Sequence, residues 1–87
     1  MTDAEVYAAV DAELDRARTR YPWWPNRSIV HAAAIASEES GEVVKAANNW
    51  YWRQGDDTTE DIRAEAIQAI AMWVRFLTEG DYTREDA

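Results

Sequence analysis

Apolar residues recur at helical spacing in three separate stretches of this chain, and turn-forming residues separate the stretches. In the first, Val6, Val10, Leu14, Ala17 and Tyr21 follow one another at intervals that place them on one face of an α-helix. Thr2 and Glu5 have the spacing of a capping box, in which each side chain accepts a hydrogen bond from the other residue's backbone. A helix over about residues 3–20 follows, with its acids early and Arg16, Arg18 and Arg20 late, the order that complements the helix dipole. Pro22-Trp23-Trp24-Pro25-Asn26 cannot continue it, because each proline lacks a donor and restricts the residue before it. Ser28 then offers an N-cap for a second helix reaching about Arg53. Gln54-Gly55-Asp56-Asp57-Thr58-Thr59 reads as a short connection, with Gly55 as a left-handed terminator and Thr58, three residues before Asp61, as the next N-cap. The third helix is expected from about Thr59 to Thr78, ending near Gly80. There is no strand alternation and no internal repeat. The predicted fold is all-α: one domain over residues 1–80 and a short, acidic, frayed tail over 81–87. Connections this short make neighbouring helices antiparallel. The expectation is a hairpin plus one helix, a three-helix subunit whose four-helix-bundle-type core is completed by dimerisation.

Projection at about 100° per residue puts Ala32, Ile35, Ala36, Glu39, Glu42, Val43, Ala46 and Trp50 on one broad stripe of helix two. Ser37, Gly41, Lys45 and Asn48 lie opposite. Glu39 and Glu42 therefore share the face expected to pack inward, where an ionised carboxylate is costly unless it is paired, hydrogen-bonded or bound to a metal. Helix three repeats the anomaly. Ile67, Ile70, Val74 and Leu77 define one apolar side and Ile62, Ala69, Met72, Trp73 and Phe76 another, so the helix is expected to be buried on more than one side. Asp61, Glu65 and Gln68 fall on the second of those sides. Two antiparallel helices aiming acids into a shared interior produce like-charge crowding, which a divalent cation resolves.

Charge sharpens that picture. With 17 acidic and 9 basic residues the formal net charge is −8, which argues against a nucleic-acid partner, because counterion release needs clustered Lys and Arg. The same balance suits recruitment of divalent cations, although net charge far from zero also simply keeps a small protein soluble. No stretch approaches the roughly 18 apolar residues of a membrane span. The acidic start at Met1-Thr2-Asp3-Ala4-Glu5 is unlike a secretory leader and cysteine is absent, so a cytoplasmic location without membrane contact is expected. At 87 residues the chain is near the lower limit for a self-sufficient core, a second reason to expect a homodimer or a tetramer.

Oxygen donors without cysteine and with a single histidine favour Mg²⁺ or Mn²⁺ over zinc. Mg²⁺ retains waters and takes a few carboxylates plus substrate phosphates, so a phosphate-bearing substrate is implied by that habit; no Gly-rich phosphate loop is present. Glu39, Glu42 and Glu65 are the metal candidates. Glu38, at the edge of the stripe near His31 and Asn49, reads either as a base beside the metal or as an ordinary surface acid. His31 and Asn49 are candidates for substrate contact, with packing or capping as the plainer alternative. Lys45 and Arg53 are placed for phosphate contact or for simple exposure. Trp23 and Trp24 can stack on a base, against the usual role of aromatics in cores and interfaces.

Glu38-Glu39-Ser40-Gly41-Glu42-Val43, on a helix preceded by an Ala-rich turn and followed one helix later by Ala64-Glu65-Ala66-Ile67-Gln68, resembles the MazG-like all-α nucleoside triphosphate pyrophosphohydrolases. The match spans about residues 29–77. That family carries a Glu-x-x-Glu pair on one helix and a Glu-x-x-Asp pair on the next, which together bind Mg²⁺. The resemblance implies Glu39 and Glu42 as the first pair, Glu65 as the first member of the second, and Gln68 where the family has Asp. An amide oxygen still ligates a hard cation but brings no charge, so weaker metal binding is implied, with Asp61 as a partial substitute. The implied reaction cleaves a nucleoside triphosphate (NTP or dNTP) between the α- and β-phosphates, with Glu38 or Glu39 as general base. The base pocket would draw on helix one, the Trp23-Trp24 loop or a neighbouring subunit. Two alternatives stand beside it. One is a nucleotide- or metal-binding module that has lost turnover through Gln68. The other is a structural helix bundle whose acids pair with Arg53, Arg63 or Arg75.

Overall fold

The computed structural model describes residues 1–25 and 28–82; Asn26 of the expected loop and residues 83–87 of the expected tail lie outside them. The described residues form α1 (Asp3–Arg20), α2 (Ile29–Tyr51) and α3 (Thr59–Glu79) and no strand. Each helix starts where a short polar side chain can satisfy its first free N–H groups. The Thr2 hydroxyl accepts from Glu5 N–H at 3.2 Å while the Glu5 carboxylate accepts from Thr2 N–H at 3.0 Å. Thr58 and Asp61 repeat this box at 3.2 and 2.8 Å. Ser28 Oγ accepts from Val30 and His31 N–H at 3.2 and 3.3 Å. These are the capping residues the sequence predicts.

The end of α2 differs from expectation. The helix stops at Tyr51, before Arg53, and the left-handed position falls on Arg53 itself, at φ 55°. Arg53 N–H donates to the Trp50 carbonyl at 3.4 Å and Gln54 N–H to the Asn49 carbonyl at 2.8 Å. That pair of bonds is a Schellman closure, whose left-handed residue is usually glycine. Gly55, at φ 106°, turns the chain two residues later. The carbonyls at the helix end must be satisfied immediately beyond the last turn, which fixes the left-handed site at position 53 whatever residue stands there.

α3 is the shared partner: α1 and α2 each pack along it and not on each other. α2 and α3 form the expected antiparallel hairpin. α1 runs parallel to α3, so that Arg18 Nε near its end reaches Glu79 Oε2 near the end of α3 at 2.9 Å. Val10 and Leu14 of α1 bury against Ala71 of α3, with Val6, Ile67, Met72 and Val74 around them. Burial of side chains of this size supplies about 1.5–3 kcal/mol each. On α2 the buried residues are Ala32, Ala36 and Ala46, whose small side chains let it lie close on α3. The expectation that α3 is covered on two sides is met. Two residues placed on the inward stripe of α2, Glu42 and Trp50, are exposed instead, because one helix rather than two covers α2 and only the centre of the stripe is buried.

The molecule is elongated, 48 × 27 × 22 Å, with a radius of gyration of 14.8 Å, against about 12 Å for a compact chain of this length. Large apolar side chains remain outside, among them Val30, Val44 and Leu77. No helix among the described residues is long and apolar enough to cross a membrane. Because Arg53 holds a conformation that disfavours a Cβ, Arg53→Gly should raise unfolding free energy by about 0.5–1 kcal/mol, read as a higher urea midpoint at unchanged slope; a lower midpoint would show that the Arg53 side chain contributes more than its backbone costs.

Candidate functional site

Between α2 and α3, the stripe of buried alanines on α2 is interrupted by Glu39, which is half-buried. One turn along, Glu42 is exposed; across from them on α3, Glu65 and Gln68 are half-buried. Burial pushes the Glu39 carboxyl above the ordinary carboxylate range, and the charges of Glu65, Glu42, Glu38 and Glu13 push it further. Four neighbouring acids thus crowd one carboxylate. Among the described residues, none of Glu38, Glu39, Glu42 and Glu65 has an ion-pair partner. The nearby arginines are engaged elsewhere: Arg63 Nη1 binds Glu60 at 2.8 Å, Arg75 Nε binds Glu79 at 2.9 Å and Arg16 binds Glu13. Of the three arginine partners expected of a purely structural bundle, Arg63 and Arg75 are therefore taken within this chain, while Arg53 makes no ion pair among the described residues.

Glu39 and Gln68 open into a cavity of about 350 Å³. Ile35, Met72, Trp23 and Trp24 give it apolar walls, and Arg16 and Arg75 are its cations. Glu42 and Glu65 instead line a hollow of about 240 Å³ with Lys45, Asn49 and Asp57. The set expected from the sequence is thus divided between two openings, with Glu39 electrostatically coupled to both. Asn49 Nδ2 donates to Asp57 Oδ2 at 2.8 Å, which ties α2 to the following loop and commits the amide expected to touch substrate. Glu38 and His31 are exposed and line neither opening. Trp24 is buried in the cavity wall, 9% exposed, whereas Trp23 beside it is 87% exposed.

The residue that organises the cavity's far end is one the sequence reading placed only as a salt-bridge partner. Arg75 is 2% exposed. Its Nε and Nη2 grip the Glu79 carboxylate at 2.9 and 3.0 Å, Nη2 also donates to the Tyr21 carbonyl at 2.8 Å, and the guanidinium lies 5.4 Å from the centre of the Trp24 ring. Arginine suits this place because its planar fork binds a carboxylate with two bonds while its face stacks on an indole. The Glu79 carboxyl is held below its usual range chiefly by Arg75, with Arg18 adding to the effect. The signal was present in Met72-Trp73-Val74-Arg75-Phe76-Leu77: a lone cation inside an apolar run, with an acid one turn on. On the α2 side, Trp73 Nε1 donates to Ser40 Oγ at 3.0 Å, next to Glu39.

Among the described residues, no three His, Asp or Glu side chains stand together in a ready-made metal cage. The donors are all oxygens, and the crowding on Glu39 is the condition a hard cation relieves. Oxygen is the donor type that Mg²⁺ takes, through one or two carboxylates and several waters. No family model matches this chain, and neither a curated protein nor a solved structure does.

The two shifted carboxyls act on stability with opposite signs. Glu79, held low, contributes stability that is present above its unfolded pKa, about 4.3, and lost as pH falls through the lower folded value. Glu39, held high, favours folding only below that unfolded pKa, and the contribution is lost as pH rises through the raised folded value. In metal-free buffer Glu39→Gln should therefore melt higher than wild type at pH 7 and Glu79→Gln lower. Both differences should shrink towards pH 3 in thermal melts. A Glu39→Gln protein that melts lower at pH 7 would contradict the uncompensated carboxylate.

Proposed function

We propose that this protein is a Mg²⁺-dependent nucleoside triphosphate pyrophosphohydrolase, related to the MazG-like enzymes that its Glu-x-x-Glu and Glu-x-x-Gln helices resemble. The observation that carries the proposal is Glu39: a carboxylate crowded by four others, without an ion-pair partner among the described residues, at the wall of a cavity that also holds Trp23 and Trp24. When bound, Mg²⁺ would be held by one or two carboxylates of the set Glu39, Glu42 and Glu65, with Gln68 beside Glu39, and would supply charge neutralisation for the triphosphate and a more acidic water. The remaining work falls to side chains. The apolar walls and the exposed face of Trp23 take the nucleobase, and Lys45, beside Glu42 and Glu65, meets phosphate oxygens. Water attacks the α-phosphorus, the bond to the bridging oxygen breaks, and pyrophosphate leaves. Of the two candidate bases, geometry favours Glu39, which lines the cavity, over Glu38, which is exposed outside it.

A homodimer completes the assembly in this reading. Val30, Ala34, Ser37, Gly41, Val44, Asn48 and Tyr51 follow one another every three or four residues along the outer face of α2, and all are exposed. A Cβ on Gly41 would meet nothing within 4 Å, so no contact among the described residues explains a glycine in mid-helix, where it costs about 1 kcal/mol relative to alanine. A second helix laid along this seam would.

One observation favours a second reading. Gln68, half-buried at the cavity wall, brings no charge where a fourth acid would tighten the metal, which suits a module that binds nucleotide and Mg²⁺ without turnover. A panel of canonical and modified triphosphates with saturating Mg²⁺ separates the two. The enzyme releases pyrophosphate from at least one of them, at a rate cut at least 100-fold by Glu39→Gln, and runs as a dimer in light scattering. Binding without release selects the second reading, with Gln68→Asp expected to tighten Mg²⁺. Neither binding nor release across the panel refutes both.

A further inference from the structure

α3 ends at Glu79, and the next residues double back on it. Gly80 allows this because a Cβ there would overlap the ring of Tyr82. The Tyr82 ring stacks on Phe76, with centroids 5.0 Å apart and planes 30° apart, and Phe76 in turn meets Trp73 edge-on at 5.4 Å. The Tyr82 hydroxyl accepts a hydrogen bond from Trp24 Nε1–H at 2.6 Å. The tail expected to fray is therefore ordered through Tyr82 by contacts with the loop before α2.

We propose that Tyr82 is a positioning residue for the cavity: the turn Gly80–Tyr82 holds Trp24 in the wall and thereby sets Trp23 at the mouth, where a planar heteroaromatic ring of the ligand stacks. The proposal rests on the nucleotide reading for the identity of that ring, and on geometry alone for the hold itself. Trp24 precedes Pro25, which confines it to extended backbone, and successive side chains of an extended chain point to opposite sides. Fixing one indole inward therefore turns its neighbour outward, as the 9% and 87% exposures of Trp24 and Trp23 record. Trp24 is held at two points, by Tyr82 at its N–H and by Arg75 at its face. Arg75 is itself fixed by Glu79 and the Tyr21 carbonyl. Tyr82 is the one of these groups that comes from beyond the last helix, so the turn after α3 shapes a wall supplied by the loop before α2.

The test uses the full chain with ¹⁵N-labelled indoles, the Trp24 signal being the one lost in Trp24→Phe. Hydrogen exchange of that indole should be slow in wild type and at least about tenfold faster in Tyr82→Phe, which keeps the ring on Phe76 and lacks the acceptor. Calorimetry with dATP, dGTP, dCTP, dTTP and dUTP in Ca²⁺ should give a Kd about fivefold weaker for the best-bound nucleotide in Tyr82→Phe and in Gly80→Ala. Pyrophosphate, which has no ring, should bind both variants as it binds wild type. Unchanged indole exchange overturns the hold. Faster exchange with unchanged nucleotide affinity, or an equal loss of pyrophosphate binding, overturns the positioning role. If no nucleotide binds wild type, the nucleotide reading and the ring-positioning role fail together, and the exchange measurement still decides the hold.

Discussion

A guanidinium cannot be desolvated without partners on its donors, and the C-terminal half of this molecule is arranged around that constraint at Arg75. Two of its donors close on Glu79, one reaches the Tyr21 carbonyl at the end of α1, and its face lies against Trp24. Through those contacts a single side chain of the central helix ties α1, the loop that follows it and the end of α3 into one unit. Arg18 adds a second bond from α1 to the same Glu79 carboxylate. An interior with few large apolar residues is fastened at one end by charge-assisted hydrogen bonds rather than by bulk.

The same arrangement leaves the other end acidic. Because Arg75 is saturated by Glu79 and Arg16 by Glu13, the two cations lining the cavity do not neutralise Glu39. The carboxylates of α2 and α3 then crowd one another without an ion-pair partner among the described residues. One apolar chamber with indole walls and one shallow acidic hollow lie on either side of Glu39. A ligand with a flat ring at one end and several negative charges at the other, brought in with a divalent cation, matches that asymmetry; a polyanion without a metal does not, at a net charge of −8.

The helices were legible because their starts are local. Thr2 with Glu5, Ser28, and Thr58 with Asp61 solve the problem of free N–H groups within four residues, and a short window of sequence contains the whole solution. The end of α2 was less legible because the left-handed residue there is Arg53, against the conformational preference that points to Gly55. At the site, helical periodicity correctly set Glu39 opposite Glu65 and Gln68. It carried Glu42 and Trp50 inward as well, since periodicity gives direction but not how wide a stripe the partner covers. The hold of Tyr82 and Arg75 on Trp24, the bond of Arg75 to Tyr21 and the charge of Glu13 beside Glu39 join residues far apart in the chain. Arg75 alone left a trace, as a cation in an apolar run.

Glu39 is a half-buried carboxylate crowded by other acids and without an ion-pair partner among the described residues, and the proposed function puts a divalent ion beside it. Carbon-detected nuclear magnetic resonance of the glutamate side chains, titrated from pH 3 to 8 with and without Mg²⁺, measures this directly. Glu39 should keep its proton to higher pH than the exposed glutamates in metal-free protein, and Mg²⁺ should move its titration down towards theirs. A Glu39 that titrates with the exposed glutamates would show that its neighbours do not crowd it, and one that Mg²⁺ leaves unmoved would show that no divalent ion binds beside it.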